Sequence, residues 1–491
     1  MIMKTKILKQ LVIIIVTAAL VLTGVVPSYA EEKTYEGAGK APDTTATSVI
    51  LMDAGSGEVL YEKNAHEKRD PASITKILNC LVCLDKLDLK QEVTVDMETT
   101  TEGSTMELKK GETIKIKDIM YGMMLVSAND GAEYLGYLAG EGDIDVFCDM
   151  MNAKARQIGA KDTKYVNPNG LNNESVNNVT TAYDIALMVK EGMKDKRFRK
   201  IVSTRKYVIP ATNKSKKRKL TNSNRCLWDD EIVAASKGDK AALDNYAKEY
   251  KKYLPDDSEV DVRKAAKQNA KLTAALMYKP CIGVKTGYTS TAGDCFAGIA
   301  KKGNTEIIAI VLNAPHSRDK FQDARKLWNY GYANFKTYTA QEKDDFKFDL
   351  DLKRGELREV AVGIREDLDV TMLKGENPEE TVTTEIELIE KKPMAPIRKG
   401  AVVGRLVAYD NGKEVASQDM VSLETSEAGG ILSYIGIADE DRFEFFVLLA
   451  ALLFVLYKIA TRKNSKAKRR RERRKRRRER IRRDNDLNQF K

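Results

Sequence analysis

The sequence predicts an α/β (α+β) domain whose sheet joins its two ends, then a small all-β domain, then a membrane-spanning helix. Three observations predict this order. β-prone runs sit at both ends of residues 47–337 with helical periodicity between them, which places the terminal strands in one sheet. From about 340 to 430, short strand-like runs alternate with Gly, Asn-Gly and charged turns. Phe443–Thr461, apolar but for Glu444 and Lys458 near its ends, covers about 19 residues, roughly 28 Å of helix, enough to cross a bilayer.

Composition narrows the class. A chain of 491 residues exceeds one ordinary core, and 42% hydrophobic with 32% charged residues is a folded composition. Only two histidines are present, His66 and His316, so a His-rich metal site and a His-based triad are both disfavoured. The net charge of +11 is unevenly spread: the +3 of residues 1–30 and the +13 of residues 461–491 leave the body at −5. A nucleic-acid-binding body is therefore not expected.

The two ends set the compartment. Lys4, Lys6 and Lys9 precede the apolar run Leu11–Val26, and Ser28 and Ala30 form a small-x-small site, as in a secretory signal peptide (1–30) cut after Ala30. An uncleaved anchor is the alternative. At the other end, Phe445–Tyr457 is apolar on every face, which favours a transmembrane helix (443–461) over a surface helix. The arginine-rich tail 462–491 then belongs in the cytoplasm, held by anionic lipid of the plasma membrane, with the body outside.

Within the body, residues 31–46 read as a loose linker. Ser48–Asp53 and Glu58–Glu62 are strand-like, joined by the hairpin signal Ala54-Gly-Ser-Gly57. Helical periodicity covers Ala72–Leu87, Ile116–Leu125, Gly131–Ala139 and Ile144–Ile158. Strands return at Asp294–Ala300 and Thr305–Asn313, followed by a helix over Asp319–Phe335. Residues 229–276, rich in Ala, Lys and Asp, read as a solvated helical insertion. The all-β domain, 340–430, takes its strands from Phe346–Leu350, Glu359–Ile364, Asp369–Leu373, Thr381–Ile389, Val402–Ala408 and Glu414–Ser417.

A hydrolase with so few histidines needs another way to activate a nucleophile. In Ser73-Ile-Thr-Lys76 the two side chains share one helical face, so the amine can accept the hydroxyl proton. The motif alone is weak, because Ser-x-x-Lys recurs at Ser203/Lys206, Ser317/Lys320 and Ser465/Lys468. Two further elements sharpen it. Ser127-Ala-Asn129 follows 54 residues after Ser73, and Lys285-Thr286-Gly287 follows 158 residues after Ser127.

This ordered trio resembles the hallmarks of the penicillin-binding protein and serine β-lactamase superfamily. Asp53–Asn64, Val126–Ala132, Met151–Ala155, Asn167-Pro-Asn-Gly-Leu171, Thr221-Asn-Ser-Asn-Arg225 and Leu327–Gly331 further resemble the low-molecular-weight D-alanyl-D-alanine carboxypeptidases, over roughly 47–337. The resemblance implies an antiparallel sheet with a helical subdomain, a following β domain, and a serine-type D-Ala-D-Ala carboxypeptidase acting on peptidoglycan stem peptides and acylated by β-lactams. It implies no cofactor and no metal. On it, Ser73 is the nucleophile, Lys76 the base and Ser127 the proton relay. Asn129 holds Lys76 and the substrate amide, Lys285 and Thr286 with Gly287 face the terminal carboxylate, and the backbone N–H groups of Ser73 and Tyr288 form the oxyanion hole. The insertion and the spanning helix with its long tail depart from the family pattern.

Two alternatives remain at this stage. A serine β-lactamase would need a deacylating glutamate, for which Glu174 is the candidate. A membrane-anchored scaffold would bind cell wall without catalysis. Arg318 is left outside the core site, and His66 reads as a polar-loop residue. Cys80 and Cys83 are expected to pack in the core behind Ser73, and the six cysteines show no zinc spacing.

Overall fold

The computed structural model describes residues 32–35, 37–100, 102–171, 177–255 and 260–488. The expected signal peptide and Glu174 lie outside the described residues. The chain divides into two units, one running to Tyr338 and taking in Asp369–Glu380, the other made of Thr339–Leu368 and Thr381–Lys491.

The first unit is built on an antiparallel sheet of six strands, β1 (Glu32–Thr34), β2 (Ser48–Asp53), β3 (Val59–Lys63), β4 (Cys281–Thr289), β5 (Gly293–Lys302) and β6 (Thr305–Ala314). Their spatial order is β1-β3-β2-β6-β5-β4, so strands from the two ends of the domain meet where β2 pairs with β6, Leu51 opposite Ala309. All six residues of β2 are buried because both faces of the sheet are covered. Its alternating side chains divide between two cores. Ile50 and Met52 join Ile77 and Leu78 in the helical subdomain, while Val49 and Leu51 pack with Leu327 and Trp328 of the helix Asp319–Asn334.

Four findings revise the sequence-based expectations. The supposed loose linker contributes β1, which pairs with β3 in the register Glu32 to Lys63. The helix carrying Ser-x-x-Lys opens as a 3-10 turn, Ala72–Thr75, before α1 (Lys76–Lys86) begins. The strand Leu368–Leu373 pairs with Phe335–Gln341 in a two-stranded sheet of its own, apart from the five-stranded sheet that the other strands of this region form. The cause is a polar tie: Thr371 donates to Asp53 Oδ2 at 2.6 Å and bonds Thr337 at 2.7 Å, satisfying three buried polar side chains at once. Finally, the insertion is not merely solvated. Its helices Asp230–Lys237, Lys240–Tyr250 and Val262–Ala274 are N-capped by Asp229, Asp239 and Asp261, and they enclose a small core of Ile232, Ala235, Leu243, Ala266, Ala270 and Met277.

The second unit holds a five-stranded antiparallel sheet in the spatial order Phe348–Asp351, Glu359–Ile364, Lys413–Ser422, Val402–Asp410, Val382–Leu388. A short 3-10 turn, Ile431–Ile435, leads to a helix over Arg442–Asn488. Among the described residues this is the one helix long and apolar enough to cross a membrane.

Candidate active site

The site is assembled where the N-terminal end of α1 meets the sheet edge strand β4. Pro71 and the 3-10 turn present Ser73, and Lys76 is the first α-helical residue, wholly buried. Its Nζ lies 2.9 Å from Ser73 Oγ and 2.7 Å from Asn129 Oδ1, and it also bonds the backbone carbonyl of Asn169. Two of those three neighbours can only accept. A neutral amine has two N–H groups and one lone pair. Such an amine can donate to Asn129 and Asn169 and accept from the serine hydroxyl, whereas an ammonium would donate to all three.

Electrostatics favour that neutral form. Burial holds the Lys76 pKa well below the ordinary lysine value, and the nearby Lys285 lowers it further, against an opposing pull from Asp130. The Asp130 carboxylate is itself fixed by the backbone N–H groups of Met106, Leu108 and Gly131.

Asn129 reaches Lys76 because the loop between the helices Ile116–Leu125 and Asn129–Ala139 turns sharply at Ser127, whose φ is +64°. Ser127 is half-buried there, and its hydroxyl has no bonded partner among the described residues. The Asn129 amide N–H expected to meet substrate instead donates to the Glu102 carbonyl at 2.8 Å.

On β4, Lys285 is buried, with its Nζ donating to Thr286 O at 2.8 Å. Burial, and then the charge of Lys320, bring its pKa down to about 7. The Thr286 hydroxyl bonds Ser223 at 2.7 Å, and the Tyr288 side chain stands exposed. At Gly287 the strand passes close to the nucleophile's backbone. A Cβ there would sit 3.1 Å from Pro71 O and 3.2 Å from Ser73 N. The geometry thus gathers Ser73, Lys76 and Asn129 into direct bonds and lays Gly287 against them. Lys285 acts on Lys76 through its charge, and Ser127 sits two residues before Asn129 without touching Lys76.

Several contributors were not singled out from the sequence. Asn169 is held by the loop Asn167–Leu171, where Asn167 Oδ1 accepts from Gly170 N at 2.7 Å and Asn178 braces Asn167. Gly170 has φ +81°, and a Cβ there would overlap the Ala72 carbonyl at 1.9 Å. The Asn-Pro-Asn-Gly run was the signal available for it. Lys320, ion-paired with Asp294 at 2.6 Å, had none, because only packing brings it under β4. Arg318 is exposed, and His66 pairs with Glu62 at 3.4 Å. Cys80 and Cys83 are fully buried, as expected.

Comparison with known proteins finds relatives over most of the chain. The family described as D-alanyl-D-alanine carboxypeptidase matches residues 36–249 and 236–316, and the C-terminal domain of penicillin-binding protein 5 matches 335–428. D-alanyl-D-alanine carboxypeptidase DacF of Bacillus subtilis is 27% identical over 79% of this chain and 88% of its own length. DacC of Escherichia coli is 28% identical over 83% and 90%. The fold is that of penicillin-binding protein 5 from Haemophilus influenzae, with a TM-score of 0.54 at 24% identity over 79% of this chain and 99% of that one. These relatives give no support to the lactamase or scaffold alternatives. Matched over more than half of its length, the chain belongs to the D-alanyl-D-alanine carboxypeptidase family.

Proposed function

We propose that this enzyme is a serine-type D-Ala-D-Ala carboxypeptidase that removes the terminal D-alanine of peptidoglycan stem peptides through an ester on Ser73. Lys76 takes the Ser73 proton as Oγ attacks the penultimate carbonyl. The N–H groups of Ser73 and Tyr288 hold the oxyanion. As the C–N bond breaks, the proton passes from Lys76 by way of Ser127 to the departing amine, and D-alanine leaves. Water then hydrolyses the ester and restores the hydroxyl. Lys285 and Thr286 receive the terminal carboxylate, with Gly287 letting the strand close on the nucleophile. Asn129 fixes Lys76, and its amide turns to substrate on exchange of the Glu102 carbonyl. A β-lactam enters by the same attack, but its amine stays tethered.

The observation that carries this reading is the wholly buried Lys76 amine 2.9 Å from the Ser73 hydroxyl, held there by Asn129 and Asn169, where burial and the charge of Lys285 favour its neutral form. Labelled penicillin should mark the full chain and leave Ser73→Ala unmarked. D-alanine release from a synthetic pentapeptide should vanish with it. Equal labelling of both proteins would remove Ser73 from the mechanism.

The apolar first part of the helix Arg442–Asn488 and the basic residues along its second half support a single-pass anchor. In that arrangement the catalytic unit lies outside the plasma membrane and the tail lies against anionic lipid inside.

A further inference from the structure

Just ahead of the spanning helix, the β domain presents Ile431, Tyr434 and Ile435 at 89%, 68% and 70% exposure. Three large, mostly apolar side chains together in one 3-10 turn form a surface that lacks its cover. The turn is firmly tied to the head of the helix. Gly430 N donates to Asp439 Oδ1 at 3.0 Å, Ile437 N donates to Leu432 O at 3.1 Å, and Asp439 pairs with Arg442, the first helical residue. Turn and helix head therefore hold one position relative to each other.

Beside the turn lies a cleft of about 320 Å³ lined by Lys353, Arg354, Arg358 and Tyr434. The Arg354 guanidinium lies 5.0 Å over the Tyr434 ring. Among the described residues none of these three cations has a carboxylate partner within ion-pair distance. Two acids beside the cleft are engaged by other groups, Glu440 by the backbone N–H of Arg358 at 2.6 Å and Asp439 by Gly430 and Arg442. An apolar rim beside unpaired guanidinium groups suits an amphiphile with an anionic head.

We propose that this turn and cleft form a second membrane contact. Ile431, Tyr434 and Ile435 lie in the interfacial layer of the outer leaflet, and Lys353, Arg354 and Arg358 take the phosphate of an anionic phospholipid. The inference rests on reading residues 443–461 of the helix Arg442–Asn488 as a membrane span. That span also identifies the occupant: a surface fixed to the head of a spanning helix sits at headgroup depth, where tyrosine and arginine side chains are favoured. The contact would set the height and tilt of the β domain above the bilayer.

The test uses the full chain in phosphatidylcholine vesicles with or without phosphatidylglycerol. I431W reports on the turn and L449W on the middle of the span, with wild-type emission subtracted and penicillin labelling confirming the fold. Emission added by I431W should be blue-shifted and quenched by lipids brominated near the headgroup, and that added by L449W by lipids brominated deep in the chain. Quenching of L449W with water-like emission from I431W overturns the contact and leaves the span standing. Quenching of neither overturns both. Blue-shifted I431W emission immune to brominated lipid means that protein covers the turn, and also overturns the proposal. For the headgroup, I431W emission should shift further to the blue in vesicles containing phosphatidylglycerol than in phosphatidylcholine alone, and adding R354E/R358E should remove that difference, a local readout that anionic lipid at the distant tail does not supply. An equal shift with and without R354E/R358E overturns that half.

Discussion

Gly287 approaches Ser73 so closely that a Cβ on the glycine would lie 3.2 Å from the serine backbone nitrogen. The neighbours on that side are main-chain atoms, which cannot swing aside as a side chain does. Gly287→Ala should therefore shift β4 away from the nucleophile by a few tenths of an ångström while the sheet stays intact. A misplacement of about 1 Å can cost about 100-fold in rate, so acylation by labelled penicillin should slow by roughly 3- to 10-fold with little change in Tm, and an unchanged acylation rate would show that the close approach is not needed.

The pH dependence follows from two lysines with opposite requirements. Lys76 works when neutral, so activity rises as pH climbs through its lowered pKa. Lys285 holds a carboxylate only while charged, and its pKa of about 7 means that it loses that charge on the alkaline side of neutrality. A bound carboxylate raises the Lys285 pKa. The alkaline limb should thus appear near neutrality in kcat/KM and at higher pH in kcat, with apparent values belonging to the coupled pair. Identical limbs in both profiles would contradict the carboxylate role.

Lys320 tunes that limb from beneath the strand. Its charge is the second cause of the low Lys285 pKa, so K320M should move the alkaline limb of kcat/KM to higher pH. K320M also strands Asp294 in a buried position, at a cost of about 3–5 kcal/mol. The double variant K320M/D294N should recover most of the stability and keep the shifted limb. Restoration of the wild-type profile along with stability would mean that the pair only supports the fold.

The insertion should be dispensable for chemistry. Tyr278 N already donates to Cys226 O at 2.9 Å, so the chain is closed at the insertion's base. Replacing residues 230–275 with a short Gly-Ser loop removes the separate core around Leu243, and Lys206–Glu231 is an exposed pair of little worth. Penicillin labelling should persist, with a Tm shift of about 2–4 °C, on the order of 1 kcal/mol. Loss of labelling in a folded protein would tie the insertion to the site.

Much of the molecule could be read along the chain because the signals were local. Strand alternation and helical periodicity found Ser48–Asp53, Ile116–Leu125 and Thr305–Ala314 to within a residue or so. The ordered Ser73, Ser127 and Lys285 motifs, which pointed to the family, needed no contact information either.

What packing alone decided are contacts between segments far apart in the chain. The carbonyl of Asn169 on Lys76, Ser223 against Thr286, Lys320 beneath β4 and Thr371 on Asp53 each join residues more than 30 positions apart. The same holds for the choice of sheet by Leu368–Leu373 and for the private core of the insertion. A side chain's sequence neighbours set its local conformation. Whether its polar atoms are buried, and what then satisfies them, is settled only when the layers close.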